Sequence, residues 1–327
     1  MSRLLRKFSK GEVYFVTNRT AEGLPFVPNF LINSFVNGVL ARDLARHPGI
    51  ELCSYLFMGN HYHMILVLNA GGWELKSFME YLDGEIAKFI NRLRGRCNQN
   101  VWASRYDAQP MLTPESVFEK MKYVYLNPSS ANLVETIGEY PGVSSWTNLT
   151  KGVVKSYRYY GSAKLSKLPY GPLPSKFLKS VLRKKSLSKK YTEKYPINVN
   201  PFGWTKCFLE YRSRDIEFLK QQLMLEIKEE ENKLRKKRAH KGVIGVQNLV
   251  SQCFHKHFKS KKYQKRSPCI STCLLARQRY LEEYWDFRSK CREAYLMFKN
   301  SFTHVLWPPG AFPPSRPPMS SSVPFER

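Results

Sequence analysis

Between residues 13 and 110 the sequence alternates between the two-residue period of strands and the 3.6-residue period of helices. The runs, in order, are a strand at 13–17, a helix from 31, strands at 52–58 and 62–68, a helix at 75–93 and a strand at 101–106. Only Gly59, Asn60 and His61 separate the two middle strands, which predicts a tight hairpin. The order β-α-β-β-α-β predicts an α+β fold of the ferredoxin-like, split βαβ type, with an antiparallel sheet and two helices on one face.

A third helix follows, and the sequence marks both of its ends. Thr113 is suited to the N-cap, Pro114 to the first helical position and Glu115 to the first turn. A proline pushes the residue before it out of the α region, so we expect this helix to stop at Asn127, before Pro128. The extra helix, or a ligand site, can then use the sheet face that the first two helices leave open.

The chain carries a large excess of positive charge, with 53 Lys and Arg against 26 Asp and Glu and a formal net charge of +27. The basic residues cluster at 179–190, 233–241 and 259–266, and tyrosines at 157–160 and 191 lie among them. Solvated surface or a basic linker is the ordinary reading of one such cluster, and an anionic membrane surface is a second. Three clusters with interleaved aromatic rings favour nucleic acid as the partner.

Four segments differ in composition along the 327 residues. Residues 1–150 contain the predicted α+β domain, and the Lys-, Pro-, Tyr- and Ser-rich residues 151–205 are typical of a basic linker with short structured pieces. Apolar residues at helical spacing predict a basic helical region over 206–306 with a DNA-binding or accessory role. Seven prolines from residue 307 onwards predict an extended or disordered tail over 307–327.

The sequence predicts a cytoplasmic protein, associated with the nucleoid when bound to DNA. No apolar run approaches the length of a membrane span, and the first residues lack an apolar signal core. Seven scattered cysteines, an odd number, do not form a disulfide framework and suit a reducing compartment.

Two pairs of side chains stand out as candidates for chemistry. His61 and His63 are two residues apart on a predicted strand, so both imidazoles can point to one cation. Tyr123 and Asn127 are four apart on the third helix and share a face. Each pair alone is more often structural: a packed histidine pair, a packing tyrosine and a helix C-cap.

The motifs MGNHYHMIL at 58–66 and YVYLNPSSANLV at 123–134 resemble the single-tyrosine HUH transposases, in particular the REP-associated tyrosine transposases. YPGVSSW at 140–146 and WASRYD at 102–107 are similar to other blocks of that family, and the resemblance covers residues 10–150. The chain departs from the family pattern at Gly59, at Ser129 and Ser130, and at Tyr62, which we expect to be bulky beside the histidines.

The resemblance implies a metal-dependent reaction on DNA. His61, His63 and Asn127 would hold a divalent metal, Mg or Mn, and Tyr123 would attack a DNA phosphorus to give a 5′-phosphotyrosine. Tyr125 lies on the other side of the helix and would not compete. The implied enzyme cleaves and rejoins single-stranded, hairpin-forming DNA.

Three basic residues flank this predicted site and are expected to contact DNA: Arg19, Arg105 and Lys122. Single-stranded or hairpin DNA is the predicted partner, with no membrane partner. The sequence leaves a monomer and a homodimer equally open.

Two other functions remain open at this stage. A non-catalytic nucleic-acid-binding protein derived from such a transposase would need only the basic second half. A zinc-binding module would use Cys253, His255, His257, Cys269 and Cys273. These residues lack a paired Cys-x2-Cys, so zinc is the weaker alternative.

Overall fold

The computed structural model describes residues 4–160, 193–253, 267–300 and 304–314. Its four central strands are β1 (Val13–Arg19), β2 (Ile50–Met58), β3 (His61–Leu68) and β4 (Asp107–Pro110). They form an antiparallel sheet in the order β2-β3-β1-β4. Three helices accompany the sheet: α1 (Phe30–Arg46), α2 (Gly72–Leu93) and α3 (Pro114–Ser130). The predicted α+β class and antiparallel sheet are confirmed.

Helices α1 and α2 supply the layer on one face of the sheet. Alternate strand residues such as Tyr14, Tyr62 and Met64 belong to this layer and are fully buried. Phe35 of α1 and Phe89 of α2 meet above them, with ring centroids 3.8 Å apart and the rings nearly parallel. This first hydrophobic cluster leaves the opposite face of the sheet to α3.

The intervening strand residues form a second hydrophobic cluster with α3. Phe15 and Ile65 from the sheet join Met121 from α3 in this cluster. Helix α5 (Ile216–Arg238) packs against α3 and adds Leu223 and neighbouring apolar residues. The helix that carries Tyr123 is therefore part of a core layer.

Chain segments outside the sheet cover both of its edges. The amide of Phe57 in β2 donates to the carbonyl of Val143 at 2.9 Å, so the segment 143–145 runs along this edge. At the other edge the amide of Ile270 donates to the carbonyl of Pro110 at 2.9 Å. Covered edges do not offer free backbone groups to other chains.

The predicted strand over 101–106 is wrong. The fourth strand begins at Asp107, and Trp102 forms only an isolated bridge with Thr20. The aromatic residues serve as anchors instead: the Trp102 indole donates to the Asp83 carbonyl at 3.0 Å, and the Arg6 guanidinium lies 3.6 Å from the Tyr106 ring centroid. Side-chain anchoring, not strand pairing, explains the apolar character of this run.

The predicted end of the third helix at Asn127 is also wrong, because α3 continues through Pro128 to Ser130. Pro128 and Ser129 are buried, and the Ala131 amide donates to the Asn127 carbonyl at 3.0 Å. Packing of the last turn thus outweighs the preference of a residue before proline for a non-helical backbone.

The described parts of the second half add further elements. They are α4 (Trp146–Lys151), β5 (Lys155–Arg158), β6 (Lys194–Ile197), α6 (Val246–Ser251), α7 (Leu274–Lys299) and short 3₁₀ turns at 137–139, 203–207 and 209–211. Strands β5 and β6 pair with each other and pack on α1. Ile197 joins the first hydrophobic cluster and Trp204 the second. The predicted division into four segments remains a prediction, and the basic groups at 179–190 and 259–266 lie outside the described residues.

The first part of the predicted tail packs against other segments of the chain. The Phe312 ring contacts Phe8 and Trp73, with ring centroids 5.7 Å and 5.0 Å away. Residues 315–327 lie outside the described part of the chain. Within the described ranges we find no helix of the length and apolarity that a bilayer crossing requires.

Candidate active site

Strand β3 positions the two histidines on the α3 side of the sheet. His63 pairs with Thr17 and His61 with Arg19 across the β1–β3 ladder. The imidazole rings of His61 and His63 have centroids 4.8 Å apart. Strand alternation turns Tyr62 to the opposite face, where it is fully buried. The expectation that Tyr62 crowds the histidines is therefore wrong.

Helix α3 brings Tyr123 and Asn127 to the same place. The Tyr123 ring lies 5.3 Å from the His63 ring and 6.2 Å from the Phe15 ring, centroid to centroid. The Asn127 amide nitrogen donates to His63 Nε2 at 3.1 Å. Tyr123 is 45% exposed, so its ring is available to a ligand. The structure thus gathers His61, His63, Tyr123 and Asn127 into one cluster.

Local interactions fix which face of α3 meets the histidines. At the N-terminus, Thr113 and Ser116 form a reciprocal capping box. Further along, Tyr125 is fully buried and its hydroxyl shares a 2.9 Å hydrogen bond with Ser145. With Tyr125 turned into the core, Tyr123 faces the site, as the two-residue offset on a helix requires.

Both histidines are neutral near neutral pH. Burial, and then the nearby Arg19 charge, lowers the pKa of His61 to about 4. Burial, the neighbouring His61 and the Lys120 ammonium hold the pKa of His63 well below its ordinary value. Neutral imidazole is the form that binds metal ions.

His61, His63 and Asn127 are the residues of this cluster that could hold a divalent cation. His61 Nδ1 donates to the Asn60 side-chain oxygen at 2.8 Å, which leaves His61 Nε2 with its lone pair. Among the described residues, buried His63 Nδ1 has no hydrogen-bond partner. No three His, Cys, Asp or Glu side chains in the described ranges come close enough to hold a metal. A third protein ligand would therefore be the Asn127 amide oxygen, reached by turning the amide.

Lys120 is a member of the cluster that sequence reasoning missed. Its Nζ lies 4.8 Å from the Tyr123 ring centroid and 5.2 Å from the Phe15 ring centroid. Burial lowers the pKa of Lys120, and within the described part of the chain no carboxylate pairs with it. The three-residue spacing between Lys120 and Tyr123 was the signal that could have found it.

The three predicted DNA contacts lie in three different surroundings. Arg19 is beside His61, at the end of β1. Arg105 donates to the Leu4 carbonyl at 2.5 Å and lines a separate groove, described below. Lys122 is held by Glu119 and Glu226 at 2.6 Å and 2.7 Å, and so links α3 to α5.

A polar network behind the sheet supports β3. The Tyr62 hydroxyl donates to Asp83 Oδ1 at 2.7 Å, and the Asn18 amide donates to Asp83 Oδ2 at 2.8 Å. Because Tyr62 lies between the two histidines in sequence, this bond fixes the strand that carries them.

The described part of the chain does not bring the predicted zinc ligands together. Cys269 is buried, whereas Cys253 and Cys273 are exposed. His255 and His257 lie outside the described residues, so the alternative remains a prediction.

We compared the chain with known proteins. No family model matches it, and no curated protein matches it. Among solved structures it is similar to a REP-associated tyrosine transposase bound to a REP hairpin, with 17% identity and a TM-score of 0.40. The match covers 46% of this chain and 87% of that chain. Similarity at this level carries no functional information by itself.

Proposed function

We propose that this protein is a metal-dependent DNA strand-transfer enzyme of the single-tyrosine HUH type. The observation that carries the proposal is the exposed Tyr123 ring in contact with the neutral, buried His63, which also accepts a hydrogen bond from Asn127. An exposed tyrosine beside a neutral imidazole that could hold a metal ion would suit nucleophilic attack on phosphorus.

In the proposed reaction Tyr123 Oη attacks the phosphorus of a DNA phosphodiester. A bond from Oη to phosphorus forms, and the bond from phosphorus to the 3′ oxygen breaks. The phenol proton passes to solvent and the 3′ oxygen takes up a proton from solvent, which leaves a 5′-phosphotyrosine and a free 3′-hydroxyl. The phosphotyrosine conserves the bond energy, so that rejoining the strand needs no nucleotide triphosphate.

Two kinds of positive charge would assist this step. His61, His63 and the Asn127 amide oxygen would hold the divalent cation, Mg²⁺ or Mn²⁺, whose chemistry when bound is to polarise the scissile phosphate. The Lys120 ammonium, already against the Tyr123 ring, would stabilise negative charge that develops on the attacking oxygen and the phosphate.

The proposed substrate is single-stranded DNA that forms hairpins. Tyr123 belongs to a helix packed into the core, so a phosphate has to reach the tyrosine, and a flexible single strand does so more readily than a duplex. The net charge of +27 favours a polyanionic partner.

The test is to incubate the full chain with labelled hairpin-bearing single strands and Mn²⁺, and to look for a covalent adduct that survives denaturation. Tyr123→Phe should form no adduct, while Tyr125→Phe, which changes a buried tyrosine two residues away, should form it. His63→Ala should also form no adduct, because it removes a proposed metal ligand. If the unmutated chain forms no adduct with Mg²⁺ or Mn²⁺, the non-catalytic binding function replaces this proposal.

A further inference from the structure

A concave surface, the basic groove, lies where α7 meets the N-terminal arm, residues 4–8. It has a volume of about 590 Å³. Its walls come from one face of α7, from residues 5–6, from Lys76 and Arg105, and from residues 307–314. None of these residues belongs to the tyrosine cluster, and the α7 wall lies outside the part of the sequence that carries the motifs.

The groove is strongly positive. Five cationic side chains line it, and none of the residues that line it is acidic: Arg6, Lys76, Arg105, Arg288 and Arg292. Such a surface attracts a polyanion, and guanidinium groups form paired hydrogen bonds with phosphate oxygens.

Aromatic rings also line the groove. Tyr295 and Trp307 line the groove, and Tyr295 is 50% exposed. At the rim, Trp73 is 56% exposed and meets Phe312 edge to face, with centroids 5.0 Å apart. Exposed rings can stack on unpaired bases, whereas bases of a duplex are already stacked on each other.

Contacts beneath the groove hold its walls together. The Tyr284 hydroxyl of α7 donates to the Leu5 carbonyl at 3.1 Å, and Lys7 pairs with Glu283 of α7 at 3.5 Å. A Cβ at Gly72 would lie only 2.7 Å from the Phe8 side chain, so glycine is required for this close packing. The walls are therefore joined before any ligand binds.

Arg105 connects one wall of the groove, through the chain, to a segment that bonds to the end of β1. The amide of Ala103 donates to the Arg19 carbonyl at 2.8 Å, and Arg19 pairs with His61. Arg105, which lines the groove, is only two residues further along. A single strand that reaches from Tyr123 into the groove would have to pass this end of the sheet.

We propose that the basic groove binds a segment of single-stranded DNA adjacent to the phosphate held at Tyr123, with phosphates on the guanidinium groups and bases on Tyr295 and Trp307. This inference rests on the proposed function for the presence of DNA at the neighbouring site. The presence of both charges and aromatic rings favours a single strand over a duplex or an acidic peptide, which would use the charges alone.

The test measures binding separately from cleavage, by fluorescence anisotropy of a labelled, unstructured single strand with the full chain carrying Tyr123→Phe. Arg288→Gln with Arg292→Gln should weaken binding about 25-fold at 0.1 M salt and reduce the salt slope by about 1.4, the values for two lost phosphate contacts. The matched control, Lys290→Gln with Lys299→Gln, removes the same charge from α7 outside the groove and should leave the slope unchanged. Tyr295→Ala should cost roughly 5- to 150-fold in affinity, and Tyr295→Phe should retain it.

Three results would overturn the inference. The first is an equal loss of affinity in the groove variant and in the control variant. The second is a duplex whose binding depends on the groove residues as strongly as that of the single strand. The third is displacement of the single strand by polyglutamate as effectively as by unlabelled DNA. Adduct formation, scored separately with Tyr123 intact and Mn²⁺, distinguishes the two proposals. An adduct without groove-dependent binding rejects only the groove, and groove-dependent binding without an adduct rejects only the proposed reaction.

Discussion

Asp83, a partly buried carboxyl group of α2, lies on the opposite side of the sheet from the histidines. It accepts hydrogen bonds from the Tyr62 hydroxyl at 2.7 Å and from the Asn18 amide at 2.8 Å. Burial nevertheless dominates and raises the pKa of Asp83 to about 7. We predict that Asp83→Asn changes the pH dependence of folding stability.

The sign follows from proton linkage. An unfolded aspartate has a pKa of about 3.9, so between this value and the folded pKa the folded chain binds more protons than the unfolded chain. The contribution of Asp83 to stability is therefore complete below pH 4 and is lost as the pH rises through 7. Integration from pH 5 to pH 8, with a folded pKa of about 7, gives a loss of at most roughly 2–3 kcal/mol.

Urea denaturation of the wild-type chain and of Asp83→Asn at pH 5 and pH 8 measures this loss. Between pH 5 and pH 8 the unfolding free energy of Asp83→Asn, relative to wild type, should rise by at most roughly 2–3 kcal/mol. Asp286→Asn, which removes an exposed carboxylate paired with Lys290, should show no such shift. Asp43, whose pKa burial also raises to about 7, is present in all three chains and cancels. A difference between Asp83→Asn and wild type that is the same at both pH values would refute the reasoning.

Two further predictions concern the site itself. Asn60→Ala removes the acceptor of the His61 Nδ1 proton, so the Mn²⁺ affinity measured by calorimetry should fall about 10- to 100-fold. Asn60→Asp should retain the affinity. An unchanged affinity in the alanine variant would show that Asn60 does not orient the ring. Lys120→Met keeps the aliphatic stem and removes the charge, so the rate of adduct formation at saturating DNA should fall by about 100-fold. Lys122→Met, whose ammonium contacts Glu226 away from the histidines, should keep the rate, and equal losses in the two lysine variants would contradict the role of Lys120.

Periodicity predicted the strands and helices whose buried residues recur regularly. It failed at β4 (Asp107–Pro110), which has four residues and no β-branched or aromatic side chain, because pairing with β1 and not local preference makes this segment a strand. It also failed at the end of α3, where burial of Pro128 decides the conformation. Both errors occur where tertiary contacts outweigh local preference.

The difference between local pattern and tertiary contact also applies to the cluster around Tyr123. Spacing alone placed His61 with His63 and Tyr123 with Asn127, because each pair lies within one element. Spacing could not show that β3 and α3 face each other. Nor could it show that Lys120, and not Lys122, lies beside Tyr123, because that depends on which face of α3 meets the sheet and which meets α5.

The packing of α3 has a consequence for how the proposed reaction would proceed. The helix is capped at Thr113, packed against the sheet through Met121 and linked to α5 by the ion pair of Lys122 with Glu226. Tyr125 adds a buried hydrogen bond to Ser145. Swinging the helix away, or exchanging it with a second chain, would break these contacts together and expose a core layer. In the proposed reaction the histidines and the tyrosine would therefore come from one chain, and the DNA strand would have to move to reach Tyr123.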